Sequence, residues 1–249
     1  MSDIREFFKN ILQFVFPSDI KCIFCDNEVN ENEFCVCDSC ANMIEPCDRI
    51  CETCGAPVHS EAKLCITCLN NKREFEFARS PLVYYNKVKN AIHAFKYDNK
   101  KYLAKHFAKL MLTSYNELVD LVGEFDFLLP VPLHKDREKQ RGYNQATLIA
   151  NELSKLINLV VETNIIIRKE NTTSQTTFTR AERIKNMESA FEVVDKNKIK
   201  DKKILIVDDV LTTGATTESI AKILKKNKAK CVCVISFARV DLEKNKPWN

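Results

Sequence analysis

Glycine is scarce in this chain, with four residues in 249. No two of them are close enough for a Gly-x-Gly dinucleotide turn, and no Gly-Lys-Ser/Thr is present, so neither fingerprint of nucleotide binding applies. Long apolar runs are missing as well. No stretch approaches ~18 uninterrupted apolar residues, so no transmembrane helix is expected. The first residues lack a basic stretch leading into a long apolar core and a small-residue cleavage site, so the protein is expected to stay in the cytoplasm. Charge of one sign is not in large excess. The net charge of +4 allows anionic ligands but does not by itself argue for nucleic acid. With 45% hydrophobic and 29% charged residues, this is an ordinary globular composition for one large or two modest domains.

Cysteine, by contrast, is abundant. There are 12, ten of them between Cys22 and Cys68, the others being Cys231 and Cys233. A disulfide framework belongs to small secreted chains, whereas a cluster at one end of a long chain without an export signal reads as metal ligation. Four Cys-x-x-Cys pairs stand out: Cys22/Cys25, Cys37/Cys40, Cys51/Cys54 and Cys65/Cys68. Each two-residue gap forms a tight knuckle that aims two thiolates at one ion, and a tetrahedral Zn²⁺ needs two knuckles. Four pairs build two structural zinc sites, with the first paired to the second and the third to the fourth. A cross-braced arrangement, or a single surviving site, stays open. Cys35 and Cys47 are left over and read as inert thiols, and His59 is an outside candidate ligand. A full set of four sulfurs leaves no position for a reactive water, so the module is structural.

The second informative stretch is Ile204-Leu-Ile-Val-Asp-Asp-Val-Leu-Thr-Thr-Gly-Ala-Thr216. Ile204 to Val207 suits a strand buried on both faces. Asp208 and Asp209 follow, then the small residues Thr212, Thr213, Gly214, Ala215 and Thr216. Ile220, Ile223 and Leu224 recur at helical spacing after them. A small-residue turn feeding a helix N-terminus offers backbone N–H groups and hydroxyls to a phosphate. Two adjacent carboxylates would repel that phosphate, but they suit sugar hydroxyls. A phosphate and a diol at one strand end suggest a ribose 5-phosphate. The run from Val207 through Val210 and Leu211 to Thr216 resembles the phosphoribosyl-pyrophosphate (PRPP) motif of type I phosphoribosyltransferases.

Along the rest of the chain, residues 3–16 read as an amphipathic helix stopped by Pro17, and residues 70–80 as a linker. Leu82 to Tyr85 reads as a strand, Val88 to Phe95 as a helix, and residues 101–118 as one further helix. Phe125 to Val131 reads as a second buried strand, leading into a basic loop with Lys135, Arg137, Lys139 and Arg141. At the carboxyl end of a parallel strand such a loop faces the phosphate turn and suits a pyrophosphate. Ile165 to Arg168 and Phe191 to Val194 read as short strands. Between them, the polar run Asn171 to Thr179, with Arg180, Arg183 and Asn186, reads as an arm that orders over a ligand. Cys231 and Cys233 read as small core residues on one face of a last strand. Lysines at 196–203 and 222–230 are candidate phosphate contacts for single-stranded DNA.

The order of features resembles the ComF family (ComFC/GntX) over nearly the whole chain. The matching segments are the four cysteine pairs, Ala94-Phe-Lys-Tyr97, Pro130-Val-Pro-Leu133, Arg141-Gly-Tyr-Asn-Gln145, Gln175 with Arg180-x-Glu-Arg183-x-x-Asn186, and Val207 to Thr216. Where the family has Gly-Asp after Phe-Lys-Tyr/Phe, this chain has Asp98-Asn-Lys-Lys101. The resemblance implies an α/β fold: a Rossmann-like parallel sheet flanked by helices over residues 80–240. Ahead of it would stand a double zinc-ribbon module over 18–72 and a helix over 1–17. It also implies PRPP as ligand with Mg²⁺. Asp208 and Asp209 would hold the ribose hydroxyls, residues 210–216 the 5-phosphate, and Lys135, Arg137 and Arg141 the pyrophosphate. A role in natural transformation follows from it, with single-stranded DNA, a competence helicase or a recombination protein as partners. The protein would act as a transferase or as a PRPP-sensing binding module.

Overall fold

The computed structural model describes residues 21–29, 34–58, 61–168 and 190–241. The expected helix at 3–16, His59 and the polar arm from 171 to 186 lie outside them. The centre is β6 (Lys203–Leu211), hydrogen-bonded in parallel to β3 (Phe127–Pro130) on one side and to β7 (Cys231–Arg239) on the other. The outer edge of β7 carries two short parallel strands in line, β1 (Ala78–Arg79) and β2 (Leu82–Val83). Pro81, which has no N–H to give a ladder, falls at the break between them. A separate antiparallel pair joins β4 (Ile166–Arg168) to β5 (Phe191–Val193).

Period-two alternation sends the apolar residues of the central strands to two cores. Leu205, Val207, Cys231, Cys233, Ile235 and Phe237 face one core, while Ile204, Ile206, Val232 and Val234 face the other. The first core is covered by α3 (Asn86–Tyr97), α4 (Leu103–Leu110), α5 (Leu112–Val122) and α7 (Gln145–Ile157). At its centre Phe107 stacks on Phe237 with ring centroids 3.8 Å apart and meets Phe95 edge-on. The second core is covered by α8 (Ala215–Lys226) through Ile220, Ala221 and Leu224. Cys231 and Cys233 thus share one face, as their spacing requires. Among the described residues, no helix is long and apolar enough to cross a membrane.

Three local readings change. The helix expected over 101–118 is two helices, because the N–H of the fully buried Met111 is shared between the carbonyls of Phe107 and Ala108. That tightens the turn and interrupts the helical ladder for one residue. The segment 70–80 is not a free linker. Phe75 and Ala78 are buried, β1 belongs to the main sheet, and Glu76 accepts from the backbone N–H of Val232 at 2.8 Å. The basic run at 135–141 is a helix, α6 (Lys135–Arg141), rather than a loop. His134 Nδ1 accepts from the Asp136 N–H at 3.2 Å, Asp136 and Glu138 sit in the first turn, and Lys139 and Arg141 in the last. Each of these complements the helix dipole.

The cysteine pairs grip the sheet from both faces. Cys22 and Cys40 belong to the first core, and Cys51 and Cys54 to the second. The contact of the second group is close. The Ala78 N–H donates to the Thr53 carbonyl at 2.8 Å, and a Cβ added to Gly55 would stand 2.4 Å from the Ala78 carbonyl oxygen. Gly55 also has φ +63, which L side chains rarely adopt. Gly55→Ala is therefore expected to destabilise the protein by roughly 3 kcal/mol in urea unfolding. A cost under about 1 kcal/mol, within the range of ordinary surface substitutions, would show that the knuckle does not clamp β1.

Candidate ligand cleft and cysteine groups

The cleft forms because β6 outruns its neighbour. β3 ends with Pro130 opposite Val207, and the chain turns away after Val131, whose N–H donates to the Val207 carbonyl at 2.9 Å. β6 continues to Leu211, so Asp208 and Asp209 lie inside the strand rather than after it, beside the space that β3 leaves. This is the carboxyl-end crevice where open α/β sheets hold ligands. The cleft is about 170 Å³ and is lined by both aspartates, Thr216, Arg137, Arg141 and Arg168, with Lys96 and Gln145 completing the rim.

The acidic side is strained by its own charge. Lys96 Nζ lies 2.9 Å from Asp209 Oδ2, and the Asp209 N–H donates to Asp208 Oδ1 at 2.9 Å. Burial, with the Asp209 charge adding to it, pushes the Asp208 carboxyl up to about 7 against the opposing pull of the Asp209 N–H and Lys96. A carboxylate held this way gains from a hydroxyl donor or a cation.

The basic side is built from α6 and the start of α7. Arg137 and Arg141 are four residues apart on a helix and so share a face. Both line the cleft, while Lys135, on the same helix, is exposed and does not. Helical periodicity separates residues that a loop reading would treat alike. Arg141 Nη2 donates to the Tyr97 hydroxyl at 3.1 Å, its guanidinium lies 5.1 Å from the Tyr97 ring, and Nη1 donates to Gln145 Oε1 at 3.1 Å. Gln145 is 2% exposed, and its Nε2 is a buried donor with no partner among the described residues. Burial and the nearby Arg137 pull the Arg168 guanidinium below its usual range. Crowded cations beside an unpaired buried donor suit a multiply charged anion.

The turn after β6 supplies the third part. Thr212 and Thr213 are exposed, Gly214 is buried with φ +82, and Thr213 Oγ1 accepts from the Ala215 N–H at 3.3 Å. The first N–H groups of α8 have no carbonyl partners within the helix. Val210 and Leu211 turn their side chains to the two cores, which leaves only their backbone for a ligand. Lys96, Arg168 and Gln145 were not singled out in the sequence as binding residues. Lys96 and Gln145 fall in the segments Ala94-Phe-Lys-Tyr97 and Arg141-Gly-Tyr-Asn-Gln145, but nothing in their spacing announces a cleft. A larger cavity of about 770 Å³ lies beside Cys68, Arg73 and Lys225. Its charges are mostly paired internally, Arg73 with Glu218 and Lys225 with Glu76.

The cysteines fall into two groups, Cys22/Cys25/Cys37/Cys40 and Cys51/Cys54/Cys65/Cys68, each with its sulfurs within 4.8 Å of one another. The pairing is sequential. In each group the first pair is a tight turn and the second opens a short helix, α1 (Asp38–Ala41) or α2 (Ile66–Asn70). Sulfur separations of 3.7 Å (Cys25 to Cys37) and 3.6 Å (Cys54 to Cys65) are far too long for a disulfide. They match the edge of about 3.8 Å that Zn–S bonds of about 2.3 Å give a tetrahedron. Cys35 and Cys47 join neither group, and burial pushes the Cys47 thiol up to about 12.

Residues 139–248 match the phosphoribosyl transferase domain family. Competence protein F of Haemophilus influenzae is 28% identical over 89% of this chain and 97% of its own length. The DNA utilization protein YhgH of Escherichia coli is 25% identical over 88% of this chain and 96% of its own. Competence protein ComFC of Bacillus subtilis is 26% identical over 88% and 94%. Among solved structures, a glutamine PRPP amidotransferase from B. subtilis is 19% identical over 54% of this chain and 25% of its own, with a TM-score of 0.35, too slight a likeness to carry detail. The similarity thus spans nearly the whole of competence protein F and of ComFC, and is not confined to the transferase domain.

Proposed function

We propose that the chain binds PRPP in the cleft beside β6 and transfers its phosphoribosyl group to an acceptor during the handling of imported DNA. The observation that carries this reading is the convergence of three parts in one crevice. These are an acidic pair, a set of arginines, and Thr216 in the first turn of α8. Asp208 and Asp209 accept hydrogen bonds from the ribose hydroxyls. Residues 212–216 cradle the 5-phosphate. Arg137, Arg141 and Arg168, with Gln145 Nε2, receive the pyrophosphate, whose charge exceeds what one helix end can neutralise. Mg²⁺ bound with PRPP would add charge neutralisation to the leaving group.

In the transfer, the bond from C1 of the ribose to pyrophosphate breaks and a bond from C1 to the acceptor forms. Positive charge develops on the sugar, and negative charge leaves on the pyrophosphate. The chain's contribution is positioning and charge stabilisation rather than a protein nucleophile. The two cysteine groups hold structural zinc. The assignment to DNA uptake leans on the names of the relatives, competence protein and DNA utilization protein. The lysines outside the cleft lend it less support than their number suggests, since Lys198 pairs with Glu162, Lys202 with Asp126 and Lys225 with Glu76.

The test is pyrophosphate release from PRPP and Mg²⁺ in the presence of free bases or single-stranded oligonucleotides. Release dependent on one acceptor class is expected. Binding of PRPP without release from any acceptor would make the domain a PRPP-sensing module instead.

A further inference from the structure

Arg239 closes β7 and is 1% exposed. Its Nη1 lies 3.4 Å from the carbonyl oxygen of Leu211, the last residue before the ligand turn, and its Nη2 lies 3.6 Å from Cys54 Sγ. The neighbouring Val240 N–H donates to the same Leu211 carbonyl at 3.0 Å. The start of the turn is thus held by a segment that touches the second cysteine group.

The far end of the turn is held in the same way. Arg73 Nη1 lies 3.4 Å from Glu218 Oε2, in the first turn of α8, and Glu218 Oε1 accepts from the Glu74 N–H at 2.7 Å. A Cβ placed on Gly214 would meet Arg73 Nη1 at 3.9 Å. Arg73 also faces the Cys68 side chain. Both arginines therefore have a thiol of the second group on one side and the frame of the ligand turn on the other. The first cysteine group has no such threads in the described structure; its Asp26 pairs with Lys100.

Four thiolates around a dication would carry two net negative charges, a counter-charge for Arg239, while Arg73 has Glu218 as a second partner. Burying a guanidinium costs several kcal/mol unless it is paired. With the group empty, the Cys54 and Cys68 side chains are no longer fixed by a metal, and the geometry of Arg239 and Arg73 is no longer set from the cysteine side.

We propose that the second cysteine group, when metal-bound, is the anchor that sets the ligand turn, with Arg239 and Arg73 as positioning residues between the two. Only the identity of the ligand rests on the PRPP reading; the ordering of the turn does not.

Amide hydrogen exchange across residues 212–218 of the full zinc-loaded chain tests this, together with metal content and the dissociation constant for PRPP with Mg²⁺. Arg239→Met is expected to keep both metal ions yet speed exchange in the turn by about tenfold or more, and to weaken PRPP by a similar factor, about 1.4 kcal/mol. Cys68→Ser should lose one ion and loosen the turn to a like extent. The double variant should be no worse than the worse single one, because both cut the same path. Exchange unchanged in Arg239→Met with both ions retained, or effects that simply add, would overturn the proposal. Should Arg239→Met not fold, Arg73→Gln reads the second thread with the same two outcomes. A protein that binds no PRPP at all sinks the functional reading, while the exchange data still decide this one.

Discussion

Replacing Asp208 and Asp209 together with asparagine is expected to weaken PRPP binding by more than about a hundredfold, without unfolding the protein. Two charge-assisted hydrogen bonds to ribose hydroxyls, at about 1.5–3 kcal/mol each, account for a loss of that size. The single change Asp208→Asn carries a second expectation of opposite sign. The Asp208 carboxyl is held up near 7 in the folded state, mainly by burial. In the unfolded chain it ionises near the ordinary carboxylate value of about 3.9. Between those two values the folded state binds more protons than the unfolded one, so the wild type loses stability as pH rises from about 4 through 7, and the penalty is constant above. Asparagine does not titrate and escapes it. Asp208→Asn should therefore be more stable than wild type by roughly 2 kcal/mol at pH 8, with the gap shrinking towards pH 4. Urea midpoints at the two pH values check this. A variant less stable at pH 8 would mean that the acidic pair is a structural element rather than a ligand site held against the fold's preference.

The second large effect is metal removal. Eight cysteines at one end of the chain suggest a module that would unfold alone under a chelator and leave the body intact. The packing argues otherwise. Cys22, Ile23, Phe24 and Cys40 share a core with Phe107 and Phe237, and Cys51 and Cys54 share the other with Val232 and Val234. Backbone bonds run from Thr53 to Ala78, from Glu45 to Val83 and from Cys47 to Pro81, so the edge strands β1 and β2 are held from the cysteine side. Structural zinc contributes on the order of 10 kcal/mol in small domains, comparable with the whole stability of a typical domain. If about 5 kcal/mol is lost per ion, about 10 kcal/mol for the two, the thermal midpoint of the entire chain falls by roughly 20–40 °C in a single transition. Two separate transitions, the second at the metal-loaded midpoint, would show that the cysteine groups and the sheet do not share cores.

What could be read beforehand follows the range of the interactions involved. The apolar run Ile204–Val207 and the small residues after it are contiguous, so strand, turn and helix were legible together. Eight cysteines at one repeated spacing announced metal ligation and suggested sequential pairing, but a cross-brace stayed open until the structure grouped the sulfurs. The run at 135–141 was not legible as a helix because charges look alike on a loop and on a helix. The residue that caps it, His134, is not a usual cap. β1 is two residues long, and its burial is imposed by Thr53 and β7 rather than by its own pattern. Lys96 and Asp209 meet only because α3 and β6 bring distant parts of the chain together. Arg239 sits alone at a strand end, with nothing in the sequence to say that it is buried between a cysteine group and Leu211.

Calorimetric titration of the zinc-loaded chain with PRPP and Mg²⁺ addresses the central claim most directly. One site per chain is expected, with binding lost in the Asp208→Asn/Asp209→Asn variant and displaced by ribose 5-phosphate at higher concentration. No heat of binding, or equal affinity in wild type and variant, would contradict it.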